Sequence, residues 1–485
     1  MSDAARISLL GSQERTLRSF LTSHPDGHER AAAVLFRRHC AQVPGLARSD
    51  RYVAVEVVPF GEASITSSSP AHVDFALASL RHLFQRCEDE GLVFGFVHNH
   101  PLGCLEFSDR DHTNELTLLN AISNRNGKQI TMVSMLLCDD KWRARTWRAE
   151  DMAFTDARHV AVLDGHRIKL HIAAAENIEI LDEEILARQA AAFGKPFVRN
   201  MRSLRIGVVG ASGTGSPTAT LLKRGGVGEL IFLDPDALAK SNLNRVRGAR
   251  LADVGKNKAA WMREYTHALE LGGAQAAFGT RVDEDEEALD ALATCDVIMG
   301  CTDDQIGREI LNAVCFAFGV PLIDMGLGGW IDQDASGAVR LRGHYGRVST
   351  VFPEDGQCLN CQGVVTPEGV RRDYAVRENP DITEAELRER YLAGGAEAAP
   401  GVGPFTGAVA DFAVATLYDL LTGFRKWPPG LRWDMLQIDF VLMEMRSHTT
   451  ISNADCPFCG TGELLLRRSK YRLGRPRLGV ANVAL

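Results

Sequence analysis

A strand, a glycine-rich turn and the start of a helix follow one another without interruption in the middle of the chain, and this order most restricts the possible folds. Residues 204–209 form a largely apolar run, and GASGTG at 210–215 precedes a helical pattern that runs to Leu222. The backbone N–H groups and dipole of a helix N-terminus favour phosphate. A second apolar run ends in Asp234, where a carboxylate can accept a hydrogen bond from a ribose hydroxyl. These residues alone predict a Rossmann-like domain and favour NAD as its ligand.

Four later segments change the expected nucleotide from NAD to ATP. They are LDPD at 233–236, SNLNR at 241–245, GKNK at 255–258 and CTDD at 301–304. In this order they resemble the ThiF/MoeB adenylyltransferases and the ubiquitin-activating enzymes, although serine occupies position 212, where that family usually has glycine. Adenylation requires positive charge beside the phosphates while a carboxylate attacks the α-phosphorus.

The resemblance to the adenylyltransferases implies ATP and Mg²⁺ as cofactors and assigns roles to particular residues. Asp234 would bind the ribose, Arg245 and Lys258 the triphosphate, and Asp303 would lie near the magnesium ion. The implied cofactor-binding residues are Gly210, Gly213, Gly215, Asp234, Ser241, Asn242, Arg245, Lys258, Asp303 and Asp304.

Arg188 is a further candidate catalytic residue. Arg188-Gln189 followed by Phe193-Gly194 resembles the family's N-terminal helix, in which the arginine reaches into the nucleotide site of the partner subunit. The resemblance therefore predicts a homodimer formed through the adenylation domain, with Arg188 acting in trans. The alternative is a solvated arginine on a helix surface.

A motif with metal-binding character lies in the first third of the chain. HNHP, with His98 and His100, is followed six residues later by SDRD, with Ser108 and Asp111. Residues 92–97 read as a strand, so the two histidines project from the same side at its end. An aspartate as third ligand gives a zinc site with one open position, which is the catalytic form. The same residues also fit a helix start, with a serine cap and an acid three residues later, and both interpretations can hold.

The complete string HxHPx6SxxD resembles the JAMM (JAB/MPN) metalloproteases. The resemblance implies a zinc isopeptidase or peptidase acting at the C-terminus of a ubiquitin-like protein. His98, His100 and Asp111 would hold the catalytic zinc ion, and Ser108 would help to stabilise the oxyanion.

Such a site also needs a general base, which the family takes from a glutamate well upstream of the histidines. Glu29 is the predicted base, because it follows the turn-like HPDG sequence and precedes an apolar run. Glu56 lies in an alternating strand, where a surface carboxylate is the default, and it remains an alternative together with Glu62.

Two widely separated Cys-x-x-Cys pairs predict a second, structural zinc site. Cys358 and Cys361 form the first pair, and Cys456 and Cys459 form the second. Four thiolates suit a tetrahedral zinc ion that is closed to solvent, and the ThiF/MoeB group carries pairs at corresponding places. The other cysteines show no disulfide spacing, so we expect a reducing, cytoplasmic compartment.

Length and composition are consistent with two globular domains. The chain has 485 residues, of which 45% are hydrophobic and 24% are charged. We expect an α/β chain with a JAMM domain of the cytidine-deaminase-like α/β type at 1–155 and a linker or bridging hairpin at 156–180. A Rossmann-like ThiF-type adenylation domain with a parallel or mixed sheet follows at 181–465, and a basic tail at 466–485. The net charge of −8 argues against a nucleic-acid partner, and no signal peptide or apolar stretch of membrane length is expected.

Together the two halves suggest a bifunctional enzyme of a bacterial ubiquitin-like pathway. The protease half would trim or deconjugate a ubiquitin-like protein, and the second half would adenylate its C-terminal glycine. Residues 364–404 contain no cysteine, so a separate conjugating protein could supply a thioester-forming thiol. The alternatives are activation of a sulfur-carrier-like protein for cofactor or cysteine synthesis, and a nucleotide-sensing scaffold. A role in antiviral defence is suggested by analogy alone.

Overall fold

The computed structural model describes residues 4–172, 184–333, 335–354, 357–383, 386–387, 401–426, 433–451, 453–460 and 466. The predicted tail beyond 466, the linker from 173 to 180 and residues 397–400 lie outside the described residues. The described residues form two compact units, the first of 4–41, 47–172 and 466, the second of 42–46 and 184–460.

The first unit contains a large sheet, a small sheet and three helices. Its strands are β1 (Arg6–Leu10), β2 (Ala31–His39), β3 (Arg51–Pro59), β4 (Ile65–Ser69), β5 (His72–Phe75), β6 (Val93–Asn99), β7 (Thr131–Cys138), β8 (Lys141–Arg148), β9 (Ala153–Asp156), β10 (His159–Leu163) and β11 (Ile168–Ile172). Its helices are α1 (Gly11–Leu21), α2 (Leu77–Glu90) and α3 (Asp109–Asn126).

Nine of these strands form one mixed sheet in the order β11-β10-β1-β3-β2-β6-β7-β8-β9, and β4 pairs with β5 separately. Alternate residues of a strand face opposite sides of a sheet, so Val34 of β2 joins one core with α1, and Leu35 joins the other with α2 and α3. The hairpin β10–β11 pairs with β1 through β10. The structure therefore includes this part of the predicted bridging segment in the sheet of the first unit.

The second unit alternates strands and helices before ending in an antiparallel region. Its strands are β12 (Arg205–Val209), β13 (Glu229–Leu233), β14 (Ala274–Phe278), β15 (Val297–Gly300), β16 (Leu322–Gln333), β17 (Val339–Val351), β18 (Met435–Asp439) and β19 (Glu444–His448). Its helices are α4 (Ala187–Phe193), α5 (Lys195–Ser203), α6 (Gly215–Arg224), α7 (Lys258–His267), α8 (Glu286–Ala293), α9 (Gln305–Phe318), α10 (Pro367–Glu378) and α11 (Gly403–Thr422).

The eight strands of the second unit form one sheet in the order β14-β13-β12-β15-β16-β17-β18-β19. The first five are parallel, and β16 to β19 pair antiparallel. The strands β13 and β14 are added on one side of β12, and β15 is then added on its other side. Ligands of open α/β sheets bind at such a switch point in the strand order, beyond the carboxyl ends of the strands. The expected α/β class, Rossmann-like fold and mixed sheet are therefore confirmed for this unit.

Among the described helices, α11 is long and apolar enough to cross a membrane by length and composition alone. A core helix passes the same test, and 56% of its apolar window is buried inside the protein. By length and composition alone, α11 departs from the expectation that the chain has no apolar stretch of membrane length.

Candidate functional sites

The side chains of Glu29, His98, His100 and Asp111 meet in the first unit, with ligand atoms within 4.8 Å of one another. His98 Nε2 lies 3.1 Å from Asp111 Oδ1 and 3.2 Å from His100 Nε2. His100 Nε2 lies 3.2 Å from Asp111 Oδ2 and 3.9 Å from Glu29 Oε1. The structure thus brings together the three predicted zinc ligands and the predicted base, which we call the His-acid cluster.

Strand register and a helix cap build this cluster. Ala31 of β2 pairs with His98 of β6, so Glu29, two residues before Ala31, comes beside the end of β6. Ser108 is the N-cap of α3, and both its hydroxyl and its backbone N–H donate to Asp111 Oδ2, at 2.8 and 2.7 Å. The helix-start interpretation of Ser108 therefore describes the structure, and its oxyanion role stays a prediction.

Several atoms of the cluster fit a bound cation. His100 Nδ1 lies 2.8 Å from the Cys104 carbonyl, to which it donates, and this leaves the lone pair of Nε2 directed at the cluster. Metal-ligating histidines are commonly oriented in this way. Glu29 Oε2 is buried without a hydrogen-bond partner among the described residues, and His98 Nε2 faces Asp111 and His100. A zinc ion between the two imidazoles and the Asp111 carboxylate would account for this convergence of acceptors.

Burial and neighbouring charges shift the pKa values of the cluster. Burial raises the pKa of Glu29 to about 7, against the opposing effect of the two histidines. Burial disfavours the charged form of His100, but its hydrogen bonds to Asp111 and Cys104 raise its pKa to about 9. A carboxylate with a pKa near neutral is suited to general base catalysis.

The two alternative bases lie elsewhere in the first unit. Glu56 accepts a hydrogen bond from Arg86 Nη2 at 2.8 Å. Glu62 begins a short 3-10 helix, Glu62–Ser64. Of the three candidates, Glu29 alone belongs to the His-acid cluster.

A cavity of about 1260 Å³ opens at the carboxyl ends of β12 and β15 in the second unit. All the predicted nucleotide-binding residues except Gly215 and Ser241 line it. Gly215 is the first residue of α6, and the Ser241 carbonyl accepts a hydrogen bond from Arg245 Nη1 at 2.8 Å. The predicted residues therefore surround one cavity or support its wall.

The glycine-rich turn approaches its surroundings too closely for larger residues at two positions. Gly210 has a φ of +95°, and a Cβ there would lie 2.5 Å from the Cys301 carbonyl oxygen. A Cβ at Gly215 would lie 1.9 Å from the carbonyl oxygen of Gly210. Ser212 lines the cavity without such a conflict, and its carbonyl accepts a hydrogen bond from Ser216.

Charged side chains face the cavity beside this turn. Asp234 is buried and accepts hydrogen bonds from the backbone of Ala211 at 2.7 Å and of Asp236 at 2.9 Å, and burial raises its pKa. Lys258 Nζ donates to Asp236 Oδ2 at 2.8 Å and lies 4.0 Å from Asp234 Oδ1. The cations and carboxylates needed to bind a nucleotide and metal are thus grouped at one site.

Asp303 and Asp304 differ in their surroundings. Asp304 is the N-cap of α9 and accepts a hydrogen bond from Gly307 N. Its Oδ2 also lies 3.4 Å from Arg281 and 3.2 Å from Arg377. Asp304 also lines the cavity, so its contact with the cofactor stays a prediction, as does the role of Asp303 beside magnesium. The sequence analysis did not predict either arginine. Arg377 lies on α10, whose position beside the cavity depends on long-range packing.

The four cysteines converge in the second unit, with their sulfur atoms within 4.8 Å of one another. The Sγ atoms of Cys358 and Cys456 are 3.4 Å apart, and those of Cys361 and Cys459 are 3.5 Å apart. Hydrogen bonding from Cys358 lowers the pKa of Cys459 to about 5, and the same interaction raises that of Cys358. This donor set fits a tetrahedral zinc ion, and we call it the four-cysteine cluster.

Arg188 lies on α4, is exposed, and does not line the cavity of its own chain. Its predicted action in a partner subunit stays a prediction.

Comparison with known proteins identifies the second unit. Residues 186–458, more than half of the chain, match the ThiF family. The sulfur carrier protein ThiS adenylyltransferase of Escherichia coli is 33% identical over 52% of this chain and 84% of its own length. The SAMP-activating enzyme E1 of Haloferax volcanii is 28% identical over 54% of this chain and 82% of its own. A crystal structure of E. coli MccB with ATP aligns with 57% of this chain and 75% of that chain, at 16% identity and a TM-score of 0.43. The chain belongs to the ThiF family.

Proposed function

We propose that the second unit adenylates the C-terminal carboxylate of a small carrier protein with ATP. The observation that carries this proposal is the grouping of Asp234, Arg245, Lys258 and Asp303 around one cavity at the carboxyl ends of β12 and β15. Family membership and the activities for which the two relatives are named support it.

The reaction places a different demand on each charged residue. A carboxylate oxygen of the carrier attacks the α-phosphorus, the bond to the bridging oxygen breaks, and pyrophosphate leaves with the electron pair. Lys258 and Arg245 would offset the negative charge that grows on the phosphates. A magnesium ion, for which Asp303 is the predicted ligand, would supply further positive charge.

The carrier is a sulfur-carrier or a ubiquitin-like protein, and the relative of higher identity, at 33% against 28%, favours the first. One relative is named for the sulfur carrier ThiS and another for SAMP. The absence of cysteine from 364–404 argues against a thioester formed on that segment. We therefore propose that the substrate is a sulfur-carrier-type protein, whose adenylate passes to another protein. We prefer this to a pathway in which the chain itself carries out conjugation.

ATP–pyrophosphate exchange with candidate small proteins ending in glycine tests this activity. Lys258→Ala should abolish the exchange, because Lys258 faces the cavity beside Asp234. Lys256→Ala is the matched control, since Lys256 pairs with Asp253 at 3.1 Å and does not line the cavity. Exchange that survives Lys258→Ala would refute the assigned site, and no exchange with any carrier would favour a nucleotide-sensing scaffold.

We also propose that Arg188 completes the nucleotide site of a partner subunit. In this case a mixture of Arg188→Ala and Lys258→Ala chains regains exchange, since mixed dimers contain one site with both residues. Each variant alone stays inactive. A mixture that remains inactive, while size-exclusion chromatography shows mixed dimers, would contradict action in trans.

A second function, zinc-dependent peptide cleavage, is proposed for the first unit. It is favoured by the His-acid cluster, in which Glu29 lies beside His98, His100 and Asp111 and has one buried oxygen with no hydrogen-bond partner in the part of the chain that the structure describes. A zinc ion there would polarise a carbonyl and activate water. Glu29 would take the proton from that water and pass it to the leaving amine. The JAMM resemblance makes a C-terminal extension or an isopeptide at the carrier's terminus the expected substrate.

Carriers with a short C-terminal extension test the second function. His100→Ala and Glu29→Gln should abolish release of the extension, while His82→Ala, an exposed change on α2, should not. Pyrophosphate exchange with the extended carrier should then be lost in His100→Ala. Exchange with the carrier ending in glycine should be the same in His100→Ala and wild type. Equal cleavage by wild type and His100→Ala would exclude the protease while leaving adenylation unaffected.

A further inference from the structure

Glu115 is a fully buried carboxylate that neither proposed reaction uses. It lies on α3, four residues after Asp111, and both belong to the buried face of that helix. Residues four apart are neighbours on a helix surface. Whatever fixes Glu115 against the sheet therefore also fixes the turn of α3 that presents Asp111.

Three donors from two strands hold the Glu115 carboxylate. Ser134 Oγ of β7 donates to Oε1 at 2.5 Å, and Arg145 Nε and Trp147 Nε1 of β8 donate to Oε2 at 2.7 and 2.5 Å. Strand β7 pairs with β6, where Leu136 lies opposite His98. The network thus joins the helix that carries Asp111 to the strand next to the one that carries His98.

Arg145 extends the network to the turn before α3. Its guanidinium carbon lies 4.0 Å from the centre of the Phe107 ring, and that ring lies 6.2 Å from the His98 ring. Phe107 immediately precedes Ser108, the cap that binds Asp111. The buried Arg145–Glu115 pair therefore contacts both ends of the segment that delivers the third ligand.

A stability role is a weak explanation for such a pair. Replacement of a buried ion pair by well-packed apolar residues is often neutral or stabilising, and in some proteins such a pair instead fixes one conformation. Arg145 Nη2 is also buried without a hydrogen-bond partner among the described residues, so the network is not optimised for hydrogen bonding.

We propose that Glu115, through Arg145 and Phe107, is a positioning residue that sets the Asp111 carboxylate against His98 and His100 and thereby tunes affinity and geometry for a divalent cation. This inference rests on the zinc site proposed for the first unit. Changes in the groups that orient metal ligands typically cost about 10–100-fold in metal affinity.

The test measures metal binding by the full chain and not only cleavage. Zinc affinity is obtained by competition with a chromophoric chelator, and ligand geometry from the visible bands of the Co²⁺-substituted protein. The His98→Ala chain supplies the contribution of the four-cysteine cluster, which is subtracted. Glu115→Gln should weaken zinc binding at the His-acid cluster at least about 10-fold and shift the Co²⁺ bands.

Two further variants keep the test decisive. Phe107→Leu removes the ring beside the Arg145 guanidinium but leaves the Arg145–Glu115 ion pair, so it tests the positioning role if Glu115→Gln fails to fold. It should shift the Co²⁺ bands less than Glu115→Gln does. Glu88→Gln is the control, because it removes a pair with Arg125 at 3.4 Å at the other end of α3.

The outcomes separate the two proposals. If wild type binds no zinc beyond that of His98→Ala, the proposed protease site is refuted. If it does, and both Glu115→Gln and Phe107→Leu match wild type in affinity and Co²⁺ spectrum, the positioning role of Glu115 is refuted alone.

Discussion

The two clusters of potential metal ligands are built in opposite ways. The four-cysteine cluster consists of two local pairs with uniform donors, Cys358 and Cys361 joined to Cys456 and Cys459. The His-acid cluster combines imidazoles with carboxylates from three elements: the segment before β2, the end of β6 and the first turn of α3. One arrangement can saturate an ion with four thiolates, and the other offers three ligands and a nearby base.

This difference separates stability from chemistry. A closed thiolate site contributes to folding, whereas a site with an open position can bind water or substrate. On these proposals the second unit would combine a stabilising cluster with a separate nucleotide cavity, and the first unit would hold its ion at a reactive site. If this distinction is correct, loss of a ligand should have different consequences in the two units.

The largest expected effect is on the stability of the second unit. Cys358 is fully buried, so Cys358→Ser removes a thiolate from the interior of the cluster. Structural zinc contributes about 10–16 kcal/mol in zinc-finger peptides, and loss of one ligand should destabilise the unit by several kcal/mol. Urea unfolding, with the zinc content measured in parallel, checks this.

His98→Ala supplies the contrast. It should remove the ion of the first unit but change the free energy of unfolding by only about 1 kcal/mol, the usual size for a single substitution. Equal destabilisation by Cys358→Ser and His98→Ala would remove the distinction between the two clusters.

The second prediction concerns the independence of the two activities. Asp303 lines the nucleotide cavity, and Asp303→Ala should lower the exchange rate by about 10²–10³-fold, as for loss of a residue that stabilises transition-state charge. Cleavage of an extended carrier by the same variant should equal that of wild type. His100→Ala should show the reverse pattern, and loss of both activities from either variant would contradict two independent sites.

Local patterns were sufficient to predict the parts of each site that lie close together in sequence. His98 with His100, each Cys-x-x-Cys pair and the 210–215 turn are such patterns, because their geometry depends on a single strand end or turn. The switch point in the strand order between β12 and β15 follows from the same Rossmann-like pattern.

Long-range register was beyond such patterns. The pairing of β1 with β10 and the contacts of Glu115 with Arg145 join segments that only the folded sheet brings together. The two acids of CTDD cannot be distinguished by their sequence pattern. That Asp304 is the N-cap can be assigned only when the first residue of α9 is known.

The third prediction asks how far the four-cysteine cluster influences the cavity. Gln305 lines the cavity and binds the segment that follows Cys361: its Nε2 donates to the Val364 carbonyl at 3.0 Å, and its Oε1 accepts from Thr366 N at 3.1 Å. Loss of two hydrogen bonds of about 0.5–1.5 kcal/mol each should raise the KM for ATP several-fold in Gln305→Ala, with a smaller change in kcat.

Gln362→Ala is the matched control for Gln305→Ala. Gln362 is next to Cys361 and donates to the Gln357 carbonyl at 2.7 Å, but it does not line the cavity. Its KM for ATP should equal that of wild type. Equal increases in both variants would mean that the cysteine segment affects the cavity through general stability and not through Gln305.

The smallest expected effect belongs to the acidic run DEDEE at 283–287, which leads into α8. Asp285 is the N-cap and accepts from the backbone of Glu287 at 2.8 Å and of Ala288 at 3.1 Å. Asp285→Ala should cost about 1 kcal/mol of stability and leave zinc content and exchange unchanged. The control, Glu284→Ala, removes a surface pair with Arg281 and should cost less stability. Asp283, in the same run, lines the nucleotide cavity. If Asp285→Ala lowers exchange by more than its unfolded fraction explains, the nucleotide site extends into this run and its acids do more than cap α8.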